Sequence, residues 1–409
     1  LQKLINHIKL VVMLFGVLHL AQSCVDVFDF ESTEFQSALV VEATITDEEA
    51  IQHVRISRTF PLDTVLMAGE NNALVSVTDS NGGTYDFTEV SSGEYSSTVP
   101  FAVNSGLTYK LNIVTVDGNK YESEDTNVPA TTEIDRIYAE RDFKDDVDEG
   151  MFIYVDSYDP SGQSKYYSYE YEETYKIIAP FWSPEDAYAV SLPPTPAVAT
   201  RPRTQEELVC YNTVGSNTII QQSTTEFDED RITKFPVRFI DRNNYILSHR
   251  YSILVKQYVQ SREAFTFYKT LETLSGSENL FNQIQTGFLE GNIRSVSDTS
   301  EDVVGFFQVS TVSKKRLFFN YKDFFPDERL PDYVSDCPLL APALVVEGGA
   351  SPLIDGIEQN LIKYYSEYSA PEDGLLTWDA PCPYFMVYRV CGDCTVLGNN
   401  TPPDFWTEE

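Results

Sequence analysis

From Ala38 onward the chain is cut into short runs in which apolar and polar residues alternate. That period of two constrains the fold more than any other feature. Leu39-Val40-Val41-Glu42-Ala43-Thr44-Ile45 leads to an acidic turn at Asp47, Glu48 and Glu49, then to His53-Val54-Arg55-Ile56-Ser57. Leu74 to Thr78 runs into Ser80-Asn81-Gly82-Gly83, and Thr84 to Thr88 returns. Successive side chains of an extended strand point to opposite faces, so each run offers one apolar face to a core and one polar face to water. Asn-Gly between two such runs marks a hairpin turn. With Glu94 to Val99, Tyr109 to Val116 and Lys120 to Glu124, about seven strands predict an immunoglobulin-like or transthyretin-like sandwich over residues 38–130.

The texture before Ala38 is different. Lys3 and Lys9 precede an apolar run from Leu10 to Leu20, which ends in Ala21-Gln22-Ser23-Cys24, and no acid occurs before Asp26. The run is about half the roughly 20 residues a spanning helix needs, so it reads as an export signal. A cysteine directly after small residues resembles a bacterial lipoprotein signal. That resemblance implies removal of residues 1–23 and acylation of Cys24 on its sulfur and new amine. Ala21 stands where such signals more often carry leucine, with Leu20 one position back. Residues 24–37 carry Asp26, Asp29, Glu31 and Glu34 and read as an acidic tether.

Formal charge is −34, and loss of Lys3 and Lys9 with the signal takes it to −36. Such a surface is repelled by phosphate backbones, which excludes nucleic acid as a partner. Anionic headgroups repel it too, so lipid on Cys24 must hold it to a membrane. Beyond Cys24 lie Cys210, Cys337, Cys382, Cys391 and Cys394. An exported chain keeps disulfides, and sequence alone leaves the connectivity open. Cys391 and Cys394 are expected to bond to other cysteines, with Cys210 and Cys337 the candidates and Cys382 left over.

Residues 131–409 read as a second, larger β-rich domain. Phe152 to Val155, Lys165 to Lys176, Phe235 to Ile240 and Arg250 to Val259 are strand-like, and two more strands lie near Val303 to Ser310 and Arg316 to Tyr321. Tyr167, Tyr169 and Tyr171 share one strand face, with Ser168, Glu170 and Glu172 on the other. Ala179 to Arg203 holds Pro180, Pro184, Pro193, Pro194, Pro196 and Pro202 and is expected to be a long irregular surface loop. One helix is expected near residues 261–274, capped by Ser261, with Ala264, Phe265, Tyr268 and Leu271 as its apolar stripe. The fold class is therefore all-β with one notable helix.

Chemistry-bearing motifs are sparse. His53 and His249 have no ligand-spaced neighbours, so neither a histidine metal site nor a triad is supported. Asp145 to Gly150 places Val147 where a calcium ligand belongs, which favours a solvated acidic turn. Glu226, Asp228, Glu229 and Asp230 read the same way. Cys391-x-x-Cys394 lacks the strand-to-helix setting of a redox pair, and disulfides outweigh an all-cysteine zinc site with Cys210 and Cys337. No catalytic residues, metal or cofactor are assigned. Phe181 and Trp182, in the proline-rich loop, are the candidate partner contacts, since loops on rigid sheets carry function.

Several stretches resemble one family in order along the chain. They are Leu39-Val40-Val41-Glu42 with Ile45-Thr46, Val54 to Thr59, Tyr169 to Tyr175, Ser261 to Phe265 with Tyr268-Lys269, and Gly291-Asn292-Ile293. Val304-Gly305-Phe306-Phe307 with Lys315-Arg316, and Cys391-Gly392-Asp393-Cys394 with Pro403-Asp404-Phe405-Trp406, continue it. The chain resembles domain-of-unknown-function family 4249, departing from it at Ala43, at Tyr169 or Tyr175, and at Cys382. The resemblance implies a lipoprotein of Bacteroidota, encoded beside TonB-dependent outer-membrane receptors, and defines no catalytic residues. The expected protein is thus a lipid-anchored outer-membrane protein exposed at the cell surface, a non-catalytic accessory of such a transporter in nutrient uptake. The alternatives are a glycan- or peptide-degrading surface enzyme and a structural or adhesive protein. Cys24→Ala is expected to release the protein from membranes or leave it unprocessed; a processed, unlipidated chain that still partitions fully with membranes would refute the anchor.

Overall fold

A computed structural model of the chain describes residues 37–60, 69–275, 289, 291–368 and 382–408. The signal, Cys24 and nearly all of the acidic tether lie outside the described residues. Among those described, no helix is long and apolar enough to cross a membrane, which says nothing about β-barrels. The protein is mostly β, as the alternation predicts.

The first unit contains β1 (Leu39–Thr46), β2 (His53–Arg58), β3 (Leu74–Asp79), β4 (Thr84–Ser91), β5 (Glu94–Ser97), β6 (Thr108–Val114), β7 (Lys120–Ser123) and β8 (Thr126–Asn127). The period of two is visible in burial: Leu39, Val41, Ala43 and Ile45 enter the core, while Val40, Glu42, Thr44 and Thr46 stay outside. Tyr95, Tyr109, Leu111 and Tyr121 fill the same core. The expected sandwich over 38–130 is completed from far away in sequence. Ile293, Val303, Phe307 and Val309 join its core from later strands.

The second unit begins with β9 (Ile134–Lys144) and β10 (Asp148–Tyr158), joined at Asp145 and Asp146, whose φ angles of 52° and 58° suit a tight hairpin turn. Of the acidic turn expected at Asp145 to Gly150, residues 145–147 form this turn, whereas Asp148 to Gly150 already begin β10. It continues through β11 (Tyr166–Ile178), β12 (Glu185–Ser191), β13 (Ala197–Pro202), β14 (Val209–Gly215), β15 (Ile220–Ser223), β16 (Arg231–Asp241) and β17 (Arg250–Val259). Helix α1 (Arg262–Ser275) follows, with the Ser261 hydroxyl accepting from Ala264 N at 3.1 Å. Then come β18 (Ile293–Ser295), β19 (Val303–Asn320), α2 (Tyr321–Phe324), α3 (Pro352–Glu358), β20 (Ile362–Glu367), β21 (Tyr384–Tyr388) and α4 (Arg389–Gly392). Strands β16, β10 and β9 form a second sheet, and its buried face shares one core with β11, β17 and the end of β19.

The two strands expected near 303–310 and 316–321 are one continuous strand, β19. Its first part pairs in parallel with β1, from Leu39↔Val303 to Thr46↔Ser310. Its second part pairs antiparallel with β17, from Val259↔Thr311 to Arg250↔Asn320. One sheet therefore runs through both units. Where β1 ends, the Val312 N–H would be orphaned, and the Asp47 carboxylate accepts it at 2.8 Å. The interunit linker docks at the same point: Thr311 Oγ1 donates to Ala130 O at 3.0 Å, and Ser313 Oγ accepts from Ile134 N at 2.9 Å.

The proline-rich stretch corrects an expectation. β12 and β13 form a hairpin inside Ala179 to Arg203, with one register shift between Ala189 and Ser191. The prolines bracket the strands, with Pro193, Pro194 and Pro196 in the turn and Pro202 at the end of β13, so the ladder loses little. This hairpin packs with α3, β20 and β21 around Ala187, Leu353, Tyr364, Tyr384 and Met386.

Gly305 sits where β19 meets β1. Its φ is +142°, and a Cβ there would press into the Val41 carbonyl oxygen. Next to it Asn292 completes the strand with its side chain, donating to Phe307 O at 2.8 Å and accepting from Phe307 N at 2.7 Å. Gly305→Ala is expected to destabilise the fold by about 2 kcal/mol or more in denaturant unfolding; an unchanged midpoint would show that this crossing tolerates a side chain.

Candidate functional site

The outer faces of β1, β2, β19, β17 and β11 line a groove of about 880 Å³ at the seam of the two units. The same alternation that buries Leu39, Val41 and Ala43 turns Val40, Glu42 and Thr44 toward it. β2 adds His53 and Arg55, β11 adds Ser168 and Glu170, and β17 adds Lys256 and Tyr258. Helix α1 forms one wall. Its Ala264 and Phe267 are buried against Phe306 of β19, which leaves Tyr268 and Leu271 on the groove side. Phe267 joins Ala264, Tyr268 and Leu271 in the helix's apolar stripe, whereas Phe265, expected there, lies against Tyr166 with ring centroids 5.1 Å apart.

Three glutamines line the groove in a directed chain. Gln221 Nε2 donates to Gln260 Oε1 at 2.8 Å, Gln260 Nε2 to Gln308 Oε1 at 2.8 Å, and Gln308 Nε2 to Ser310 Oγ at 2.7 Å. Gln260 and Gln308 are buried. Gln221 Oε1, at the end of the chain, is buried and accepts no hydrogen bond among the described residues.

Most of the charges on the walls are matched. Arg55 faces Glu94 at 3.4 Å, Lys314 pairs with Glu48, and the Tyr258 hydroxyl donates to Glu170 at 2.9 Å. Burial, together with the charges of Glu42 and Glu170, pushes the Tyr268 phenol up to about 12. Burial and Glu170 raise Tyr258 as well. Both phenols are therefore neutral donors at any physiological pH.

The sequence-derived candidates fall elsewhere. Phe181 and Trp182 are partly, not fully, exposed. Both are half-buried at the base of the β12–β13 hairpin, Phe181 edge-on to Tyr365 at 5.3 Å and Trp182 against the second unit's core. His53 is exposed on the groove with its Nδ1 3.0 Å from Ser96 Oγ, whereas His249 is half-buried and its imidazole is held down by burial and by Lys176. Asp230, read as a solvated acid, is buried and accepts from Tyr167 and Thr224. Among the described residues, no three His, Cys, Asp or Glu side chains converge to hold a metal ion.

The four candidate cysteines are bridged, Cys210 to Cys394 and Cys337 to Cys391, while Cys382 is free and buried. Between the paired cysteines, Asp393 is almost fully buried. Arg389 Nε lies 2.9 Å from it and Lys363 Nζ 3.7 Å; Lys363 also reaches Glu207 and Asp186. This cluster fastens the β12–β13 and β20–β21 hairpins to the second unit, so the Cys-Gly-Asp-Cys motif is structural.

Geometry thus defines a class: an all-β protein of two units on one shared sheet, with a polar groove at their seam. The chain belongs to the family described as Domain of unknown function (DUF4249), which it matches over residues 25–316. No curated protein matches it. Among solved structures, a DUF4785 family protein from Legionella pneumophila is 8% identical, with 53% of this chain and 51% of that chain covered and a TM-score of 0.15. A cycloalternan-degrading enzyme from Trueperella pyogenes in complex with isomaltose is 10% identical, with 66% and 31% covered and a TM-score of 0.15. The chain therefore spans about half or less of the length of these structures.

Burial pushes the Asp393 carboxyl up, but hydrogen bonds from Thr395 and Arg389 and the Lys363 charge outweigh it and hold it below the ordinary carboxylate range. A carboxyl depressed by folding stabilises fully above its unfolded pKa of about 3.9 and loses that contribution as pH falls through the lower folded value. Asp393→Asn is expected to cost about 1–3 kcal/mol at neutral pH, because the buried charge that Arg389, Lys363 and Thr395 hold is lost, while Lys363 keeps Glu207 and Asp186. The variant should also show a shallower loss of stability below about pH 4 than the parent. Equal urea midpoints for the two proteins at pH 7 would refute the role.

Proposed function

We propose that this chain is a non-catalytic binding protein, held at the outer membrane by lipid on Cys24, that serves as an accessory of a TonB-dependent transporter in nutrient uptake. The observation that carries this reading is the groove. It is large enough for a small ligand, since such sites run roughly 300–1,000 Å³, and it lies on a rigid sheet rather than on loops. Its walls suit holding rather than proton transfer, because most of the charges there are paired with each other and the tyrosines stay protonated.

The export-signal pattern and the family support the setting. A protein confined by lipid near a receptor needs only a modest interface, since the effective concentration is high. Phe181 and Trp182, half-buried at the base of the β12–β13 hairpin, remain the candidate contacts of that interface. A tagged full chain, extracted in gentle detergent, should bring down an outer-membrane β-barrel receptor, and Cys24→Ala should lose it. Recovery of monomer alone, together with turnover of a glycan or peptide by the purified protein, would overturn this function in favour of a surface enzyme.

A further inference from the structure

We propose that the groove takes a neutral, hydroxyl-rich ligand, a short oligosaccharide, seated on the Gln221–Gln260–Gln308 chain and against the rings of Tyr268 and Tyr258. This inference rests on the reading of the groove as the binding site, and it names the ligand class from what the groove leaves unmet. Arg55 and Lys314 are answered by Glu94 and Glu48. Glu170 holds the Tyr258 hydroxyl and lies in register with Lys256. A charged ligand finds Arg55, Lys314 and Glu170 already partnered and is left with Glu42 and Lys256 alone. A polyanion must also approach a chain of formal charge −34. A wholly apolar ligand would leave Gln221 Oε1 unmet and bury the Glu42 carboxylate, at about 1–3 kcal/mol or more for each group.

A hydroxylated ligand meets these demands together. The glutamine chain has a direction: each amide spends a donor on the next, and the free end is an acceptor, Gln221 Oε1. A small turn of the Gln221 side chain opens that buried oxygen to a ligand hydroxyl, and a second hydroxyl donates to the exposed Glu42 carboxylate. The apolar C–H face of a sugar ring packs on an aromatic ring, and α1 holds Tyr268 beside the groove through Phe267 and Phe306. Peptides more often add to a free strand edge, whereas this groove is built from side chains on the face of a sheet.

The test is calorimetric titration of the purified chain with neutral gluco-, manno-, xylo- and galacto-tetrasaccharides, alongside a tetrapeptide pool and an oligogalacturonate. At least one neutral sugar should bind, and Tyr268→Ala and Gln221→Leu should each weaken it about tenfold while both variants stay folded at the titration temperature. Tyr268→Phe, which keeps the ring, should retain most of the affinity. Binding of peptides or oligogalacturonate instead, lost in Tyr268→Ala, would overturn the ligand class and leave the groove as the site. Sugar binding that neither variant alters, or no binding of any probe, would overturn both.

Discussion

The backbone pairing of β19 is the constraint on which the rest depends. A strand that leaves one neighbour must find another for its N–H and C=O groups or bury them unpaired. β19 exchanges β1 for β17 between Ser310 and Thr311, and Asp47 covers the gap at Val312. Its side chains then serve three cores. Phe307 and Val309 pack in the first unit, Phe319 in the second, and Phe306 under α1. The groove lies above the exchange point because that is where the outer faces of both units meet on one sheet.

Local rules were legible in the sequence wherever a local rule decided the structure. The alternation in Leu39 to Ile45, the Ser261 cap, the acidic turn at Asp145 and Asp146, and the tyrosine face of β11 all follow from periodicity or turn chemistry. What escaped is non-local. A break in hydrophobicity around Thr311 to Lys315 reads as the space between two strands, although those residues pair continuously with β17. Pairing partners hundreds of residues apart leave no mark on local pattern, so the closing of the first unit by residues 293–310 was invisible. The prolines of Ala179 to Arg203 misled for a different reason. Their number suggested a loop, while their positions spare the ladder.

The candidate site was half legible. Every outward residue of β1 could be named from its alternation, yet nothing local says that those residues face α1 or that Gln221, Gln260 and Gln308 line up. Buried charge was harder still. Glu173 falls on the tyrosine face of β11, where a carboxylate is unexpected. It survives there because Arg238 grips it at 3.1 and 3.0 Å and Tyr251 donates at 2.6 Å. Such partners come from distant strands, so a lone acid in an apolar pattern is a sign worth following to its cation.

The shared sheet also limits how the groove can work. Many two-unit binding proteins close on a ligand by hinge motion, which needs a few connecting residues that absorb large backbone changes. Here the units are joined by the full lengths of the β1–β19 and β17–β19 ladders. The linker side is fastened as well, through Ala130 and Ile134. Opening the seam would expose strand edges and strip Phe306 from Phe267, so the groove walls on the sheet keep their spacing. The wall able to adjust is α1, which rests on the sheet through a small cluster of side chains. Recognition should then depend on shape already present and on small movements of Tyr268, and a preformed site of this kind loses little ordering entropy when it is filled.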